Sequence, residues 1–304
     1  MNHGVPIKVL LFLAVGLVAA SQSGNIVRLG DAPPTVMAAW RLLMATVMLA
    51  PLAGRDLQVL RRVGVRHWAL LLLTGLALAL HFVTWIAAVQ LTTVANAAVL
   101  FSVNPVLTAA AAWLFFRESV GAKLLVAIGI GLLGIVVMGW ADLNLQPELW
   151  LGDLTALTSS LLFTVYLLGG KGLRGRVPTT AYVTSVYAVA AVLCFVFAVV
   201  SGASLVAYDG RTWTAFLLLA LVPTMIGHTA INHAVAYVKA GWLSMATTSE
   251  ALFAGLGAYL LWQEQVTWQT ALGYALIISA VIVLVFEKPA VQGGTRVPAI
   301  DRLR

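Results

Sequence analysis

The chain has 304 residues, 61% of them hydrophobic and 10% charged, with a mean hydropathy of +0.97 and a formal net charge of +7. Soluble domains hold about 45–50% apolar and about 25% charged residues, so no water-soluble globule hides this much apolar surface and the solvent must be a bilayer. A soluble enzyme, a disordered scaffold and a disulfide-stapled secreted domain are excluded; the single cysteine, Cys194, offers neither a disulfide nor a cysteine zinc site.

A spanning helix needs about 20 mostly apolar residues. Ten such stretches are predicted, at 7–27, 35–53, 67–90, 94–115, 120–139, 150–169, 180–201, 212–236, 241–262 and 267–287. The first also resembles a signal peptide, with Lys8, an apolar run and the small residues Val18-Ala19-Ala20-Ser21. The helical pattern continues through Ser21, Gln22 and Asn25, so it is kept as a span. Gly30-Asp31-Ala32-Pro33-Pro34 separates it from the second span, which carries Arg41, and the connector 54–66 holds four arginines.

His81 and Trp85 lie in the third span, and Asn96, Ser102, Asn104 and Thr108 in the fourth. Pro105 removes a backbone donor there and leaves a carbonyl without its helical partner. Gly129, Gly131 and Gly134 in the fifth span, and Gly255 and Gly257 in the ninth, permit close helix approach. Thr158, Ser159 and Tyr166 mark the sixth span, His228, Asn232 and His233 the eighth, and Ser244, Thr247, Thr248 and Glu250 the ninth.

With the N-terminus inside, fifteen of the eighteen Lys and Arg fall in cytoplasmic segments and only Arg28 and Arg211 in external loops. By the positive-inside rule both termini are cytoplasmic. The positive charge is thus a topology signal and calls for no nucleic-acid partner.

A shift of 146 residues places Glu118 on Glu264, Ala88-Val89 on Ala234-Val235, and Trp113-Leu114-Phe115-Phe116-Arg117 on Tyr259-Leu260-Leu261-Trp262-Gln263. Each half then holds five spans, and an odd number per half makes the repeat inverted, as in many secondary transporters. The expected organisation is an all-α integral membrane protein: a first repeat over 1–145, a second over 146–287, and a basic cytoplasmic tail over 288–304.

Two five-helix halves, Trp40-Arg41-Leu42-Leu43 entering the second span, Pro105 thirteen residues before Glu118, and the stretch from Ala234 to Glu264 together resemble the drug/metabolite transporter superfamily, EamA type. The likeness covers about residues 7–287. His81 and Trp85 make the chain similar to the YddG-like aromatic amino-acid exporters. The resemblance implies a multi-pass exporter of the bacterial cytoplasmic membrane, with amino acids as cargo. One departure is Glu250-Ala251 where the first half has Asn104-Pro105, so the fourth and ninth spans are expected to bend differently.

Ionisable groups inside a membrane are costly and mark function unless satisfied structurally. His81 and Trp85, four residues apart, share a helix face and offer an indole platform with an imidazole beside it. His228 and Asn232 repeat that spacing in the eighth span, within one residue of the positions the repeat predicts. Glu250 is the only carboxylate deep in a span; it could couple protons, meet a substrate amine, or pair with Arg41 or His228. Arg41 reads as a fork for a substrate carboxylate, or as a side chain that snorkels to headgroups or pairs internally, and its depth favours the latter. Ser244, Tyr166 and Asn104 complete the predicted substrate-binding set, with Tyr237 as a further aromatic.

The expected activity is alternating-access export of small organic metabolites, most simply aromatic or other neutral amino acids, by a monomer or weak oligomer that needs no cofactor or metal. A multidrug exporter of lipophilic cations is the alternative. An intramembrane enzyme is more distant, because the chain has no HExxH, GxSxG or GxxxxGK[ST] motif.

Overall fold

Hydrocarbon offers no partner to a backbone N–H or C=O, so a spanning chain must satisfy its main chain internally. The computed structural model describes residues 5–92, 94–142, 150–173 and 176–286, and among them there are helices and no strand. The predicted tail 288–304, together with Glu148 and Arg174, lies outside the described residues.

In chain order, α1 (Ile7–Ser21) and α2 (Ser23–Val27) join at Gln22, and α3 (Pro34–Ala53) runs into a 3-10 turn at Gly54–Arg62. There follow α4 (Val65–Leu91), α5 (Val94–Phe101), α6 (Asn104–Phe116), α7 (Ala122–Asp142), α8 (Trp150–Gly172) and α9 (Thr179–Val200). The second part continues with α10 (Gly210–Leu219), a π-helical segment Ala220–His228, α11 (Thr229–Ala234), α12 (Ala240–Thr247), α13 (Ser249–Trp262) and α14 (Trp268–Phe286). Among the described residues seven helical stretches are long and apolar enough to cross a membrane: Ile7–Val27, Pro34–Arg62, Val65–Leu91, Trp150–Gly172, Thr179–Val200, Gly210–Ala234 and Trp268–Phe286. The fourth and ninth predicted spans are each broken in two. The connector 54–66 is largely the 3-10 turn, with Arg55, Arg61 and Arg62 exposed.

Each break has its own backbone accounting. Pro105 takes away the donor that Phe101 O would have received, and Ser160 Oγ on α8 donates to that carbonyl at 2.9 Å instead. In the ninth span no proline is present. There Ser244, Thr247, Thr248 and Ser249 each donate a hydroxyl proton three residues back, to the carbonyls of Gly241, Ser244, Met245 and Ala246, at 2.7–3.1 Å. Such back-bonding competes with the helical ladder and bends it. The interruptions therefore fall at matching places, Ser102–Val103 and Thr248, through different causes: proline in one half, hydroxyls in the other. A third device lies in the π segment, where Pro223 frees Leu219 O and Thr224 Oγ1 donates to it at 2.7 Å.

The helices α6 and α13 end alike. Arg117 and Gln263 are the only non-glycine residues with positive φ among those described, at 52° and 55°. The following amides, of Glu118 and Glu264, each donate back to a carbonyl six residues earlier, Ala112 O and Ala258 O, at 3.3 Å. Holding a side chain in this left-handed region costs about 1–2 kcal/mol per residue, so the geometry is worth keeping twice.

The centre is formed by α4 against α8 and α9, α3 against α9, and α1 against the π segment, while α7 and α14 pack chiefly on each other. Residues facing outward are themselves apolar, among them Leu72, Leu125, Val196, Leu260, Ile282 and Val285, as a lipid-facing surface requires. The predicted glycine contacts divide. Gly257 lets α13 approach so closely that a Cβ there would strike the amides of Gln22 and Asn25. Those amides donate to Phe253 O at 3.1 Å and Ala254 O at 3.0 Å and bind α1 and α2 to α13. Gly129 instead faces outward with nothing near it, so it is not a contact glycine.

At one end of the bundle Trp40 Nε1 donates to Leu205 O at 2.7 Å and its ring meets Trp213 at 4.8 Å, which pins the loop before α10. Asp209 caps that helix by accepting from Thr212 N at 2.8 Å, and hydrogen bonding to Thr212, its side chain first and this amide second, holds the carboxyl below the usual carboxylate value.

Two measurements follow from this packing. Gly257→Val should cost about 1–3 kcal/mol by overpacking and lower the thermal midpoint in detergent, whereas Gly129→Ala should leave it unchanged or raise it slightly. Because the folded-state pKa of Asp209 is depressed, its capping contribution is present above the unfolded-state pKa and is lost as pH falls through the folded value. Unfolding of Asp209→Asn, which keeps the cap without the charge, should therefore vary less with pH between about 5 and 3 than unfolding of the parent, a window set by the ordinary carboxylate value.

Candidate substrate cavity

The helix breaks and the α4 face converge on one small cavity. Ala20 and Ser23 line it from the α1–α2 joint; His81, Phe82 and Trp85 from α4; Phe101 from the last turn of α5; and Phe163 from α8. His228 and Ile231 come from the π segment and α11, and Glu250 from the first turn of α13. Its volume is about 30 Å³, room for about one water.

Every polar group in the wall has a defined setting. His81 Nδ1 lies 3.0 Å from Ser159 O and 2.9 Å from Ser159 Oγ, while the Ser159 hydroxyl also reaches His81 O at 3.2 Å. A carbonyl oxygen can only accept, so the first contact assigns a proton to Nδ1. The His81 and His228 rings approach to 6.0 Å, and Phe82 packs edge-on to His228 at 4.9 Å. His228 Nδ1 is buried without a hydrogen-bond partner. Trp85 and Phe163 both stand edge-on to Phe101, at 5.4 Å. Glu250 reaches the cavity with no hydrogen-bond or ion-pair partner among the described residues.

Arg41 sits behind this wall with 0% exposure. Its Nε donates to Thr224 Oγ1 at 3.0 Å and its Nη1 to Ser23 Oγ at 3.3 Å; its Nη2 has no partner. The guanidinium carbon lies 3.9 Å from the centre of the Phe82 ring. It neither snorkels nor forms an ion pair with a described carboxylate. Ser23 Oγ also accepts from Trp85 Nε1 at 3.2 Å. With two donors directed at its oxygen, the Ser23 hydroxyl has its own proton left to give.

The structure thus brings His81, Trp85, His228 and Glu250 together and sets Arg41 one layer back. It puts the other predicted residues elsewhere. Asn104 is fully buried against α8, donating to Ser160 O at 3.0 Å and Thr164 Oγ1 at 2.9 Å. Asn232 donates to His228 O at 2.7 Å and to the Tyr166 hydroxyl, so both brace the π segment from behind. Ser244 is consumed by its own helix. Tyr237 and Phe12 enclose the His233 ring, away from the cavity. The Asn96 side chain lies outside the described residues.

Sequence reasoning missed Ser23, Phe82, Phe101 and Phe163. Two carried a signal: Phe82 adjoins His81, and Phe101 owns the carbonyl that Pro105 releases. A second, open depression of about 630 Å³ lies beside the end of α2 and is lined by Arg28, Asp31, Gln90 and Thr92 among others. Among the described residues no three His, Cys, Asp or Glu side chains cluster as metal ligands.

Comparison with known proteins agrees with this architecture. An uncharacterized transporter of Archaeoglobus fulgidus is 28% identical over 219 residues, 69% of this chain and 75% of that protein. A protein known from its crystal structure superposes with a TM-score of 0.76 at 18% identity, over 93% of this chain and 98% of that one, which speaks to fold alone. The EamA-like transporter pattern matches twice, at residues 7–140 and 150–286. A multi-pass helical chain matched over nearly its whole length by that pattern belongs to the EamA-like transporter family, whose members carry small molecules across membranes.

Proposed function

We propose that the chain exports neutral amino acids, aromatic or otherwise apolar in their side chain, from the bacterial cytoplasm by alternating access between two inverted five-helix halves. In this reading ten helices cross the membrane, the two broken ones included, and both termini are cytoplasmic. Mirrored packing supports the repeat: α1 lies on the π segment as α8 lies on α4, and the pairs α3–α9 and α7–α14 each join corresponding helices. A cavity with room for about one water supports a closed intermediate, since a substrate enters only if the halves move.

The observation that carries the assignment is the chemistry of that cavity: an aromatic lining that also holds one carboxylate with no partner among the described residues and a hydroxyl backed by a buried guanidinium. Glu250 would take the substrate ammonium. Ser23, polarised by Arg41, would donate to the carboxylate, with His228 Nδ1 beside it, and Phe101, Phe163, Trp85 and His81 would enclose the side chain. The positive layer behind Ser23 favours a zwitterion. The unpaired Glu250 among aromatic rings favours the second reading, a lipophilic cation exporter.

Counterflow in proteoliposomes separates the two. With unlabelled phenylalanine or leucine inside, labelled substrate outside should accumulate in step with the internal pool. Loss of a charge-assisted hydrogen bond is worth about 1.5–3 kcal/mol, so Glu250→Gln and Ser23→Ala should each lower the initial rate about ten- to hundredfold. Trp85→Ala should abolish concentrative exchange, while the lipid-facing Gly129→Ala should match the parent. Uptake of a tetraphenyl quaternary cation without uptake of any amino acid would establish the second reading instead.

A further inference from the structure

One matched pair of features lies apart from the cavity. Glu118 and Glu264 are equivalent under the 146-residue shift, and each follows a left-handed residue that ends its helix, Arg117 after α6 and Gln263 after α13. Each reaches the end of the first long helix of the opposite half. Glu264 pairs with Arg28, just beyond α2, and Glu118 pairs with Lys171 in the last turn of α8. The second oxygen of Glu118 also accepts from Ala240 N, the first amide of α12, at 3.2 Å.

We infer that Glu118 and Glu264 are face-specific latches of the transport cycle: Glu264 with Arg28 closes one membrane face, Glu118 with Lys171 closes the other, and each pair parts when its own face opens. The inference rests on the two-half, ten-crossing reading above, under which the two pairs lie at opposite ends of the bundle. Each pair ties a first-half helix to a second-half helix. A rocking motion of the halves must separate such cross-half contacts at one face while keeping them at the other. Ion pairs suit that task, because water entering a face screens the pair that held it shut, whereas exclusion of water strengthens the pair at the closed face.

Three observations give the latches unequal strength. The Lys171 and Glu118 side chains are 7% and 13% exposed, against 27% and 26% for Arg28 and Glu264. The open depression of about 630 Å³ is lined by Arg28, so the weaker latch borders a space open to solvent. Lys171 Nζ also lies 4.8 Å from the Phe116 ring centre, which adds a contact on the tighter side.

The test reads access to the cavity, not transport. In a Cys194→Ala background, Ala20→Cys in the cavity wall is labelled by a membrane-impermeant thiol reagent in right-side-out and in inverted vesicles. Ser204→Cys, in the exposed loop on the Arg28 face, identifies that face in a parallel sample. Glu264→Ala should raise labelling from the Arg28 face about threefold, as a part-exposed pair warrants, and lower it from the other. Glu118→Ala should do the reverse, by about tenfold for the more buried pair. Exchanging the charges, Arg28→Glu with Glu264→Arg, should restore the parent pattern.

If both single variants raise labelling from both faces, the glutamates merely hold the fold and the inference falls. It falls equally if neither changes labelling, or if the charge exchange restores nothing. No substrate enters this measurement, so the amino-acid assignment can fail in counterflow while the latches stand, and the reverse.

Discussion

A guanidinium buried to 0% exposure inside a membrane protein sets the terms for everything around it. An ion removed from water costs several kcal/mol unless its hydrogen bonds are replaced, and Arg41 has no described carboxylate to balance it. Its compensation comes from neutral groups: Thr224 Oγ1, Ser23 Oγ and the face of Phe82. Each of these is at a structural irregularity or at the cavity wall. Thr224 is accessible because Pro223 opens the π segment, and it passes its own proton to the carbonyl that proline orphaned. Ser23 is accessible because the first span is interrupted at Gln22. Straightening either helix would remove an Arg41 partner, so the charge, the π segment and the joint between α1 and α2 stand or fall together.

The same logic explains why broken helices are tolerated here. Irregular backbone survives at membrane depth only where protein or a cavity satisfies it. In this chain the satisfaction is done by hydroxyls: Ser160 for Phe101 O, Thr224 for Leu219 O, and a run of Ser and Thr for the α12–α13 break. A hydroxyl can exchange one carbonyl for another by a rotamer change, whereas a regular ladder breaks only at the cost of a whole bond. Breaks held this way are ready hinges, and three of them border the cavity.

Much of the fold was legible because bilayer thickness is a hard ruler: among the described residues the outer ends of the predicted spans agree with helix ends to within a few residues, and the 146-residue correspondence of Glu118 and Glu264 falls on two helix ends of the same geometry. The site was legible in part. His81, Trp85, His228 and Glu250 stood out because polar atoms in an apolar run have few reasons to exist. Asn104, Asn232 and Ser244 stood out for the same reason, yet their amides and hydroxyl mend backbone and brace Tyr166. Sequence gives residue type and depth; it does not say which way a side chain turns when lipid-facing and core-facing sides are equally apolar. Phe101 and Phe163 were hidden for the complementary reason, since a phenylalanine facing lipid and one lining a cavity look alike in sequence.

The distribution of charge around the cavity bears on what can occupy it. Arg41 contributes a fixed positive potential from behind Ser23, and Glu250 contributes a carboxyl that lines the cavity with no partner among the described residues. If the two met directly they would neutralise each other and the cavity would be a sealed core. No ion pair joins them: the guanidinium is held by Thr224 Oγ1, Ser23 Oγ and the face of Phe82. The wall therefore keeps its two poles apart. In the proposed reading a ligand that carries both an ammonium and a carboxylate would satisfy both poles at once, whereas a monovalent cation would satisfy Glu250 and be repelled by Arg41. That asymmetry is a physical reason to prefer a zwitterion, and it comes from the placement of two charges and one serine, independent of which side chain the aromatic rings then accept.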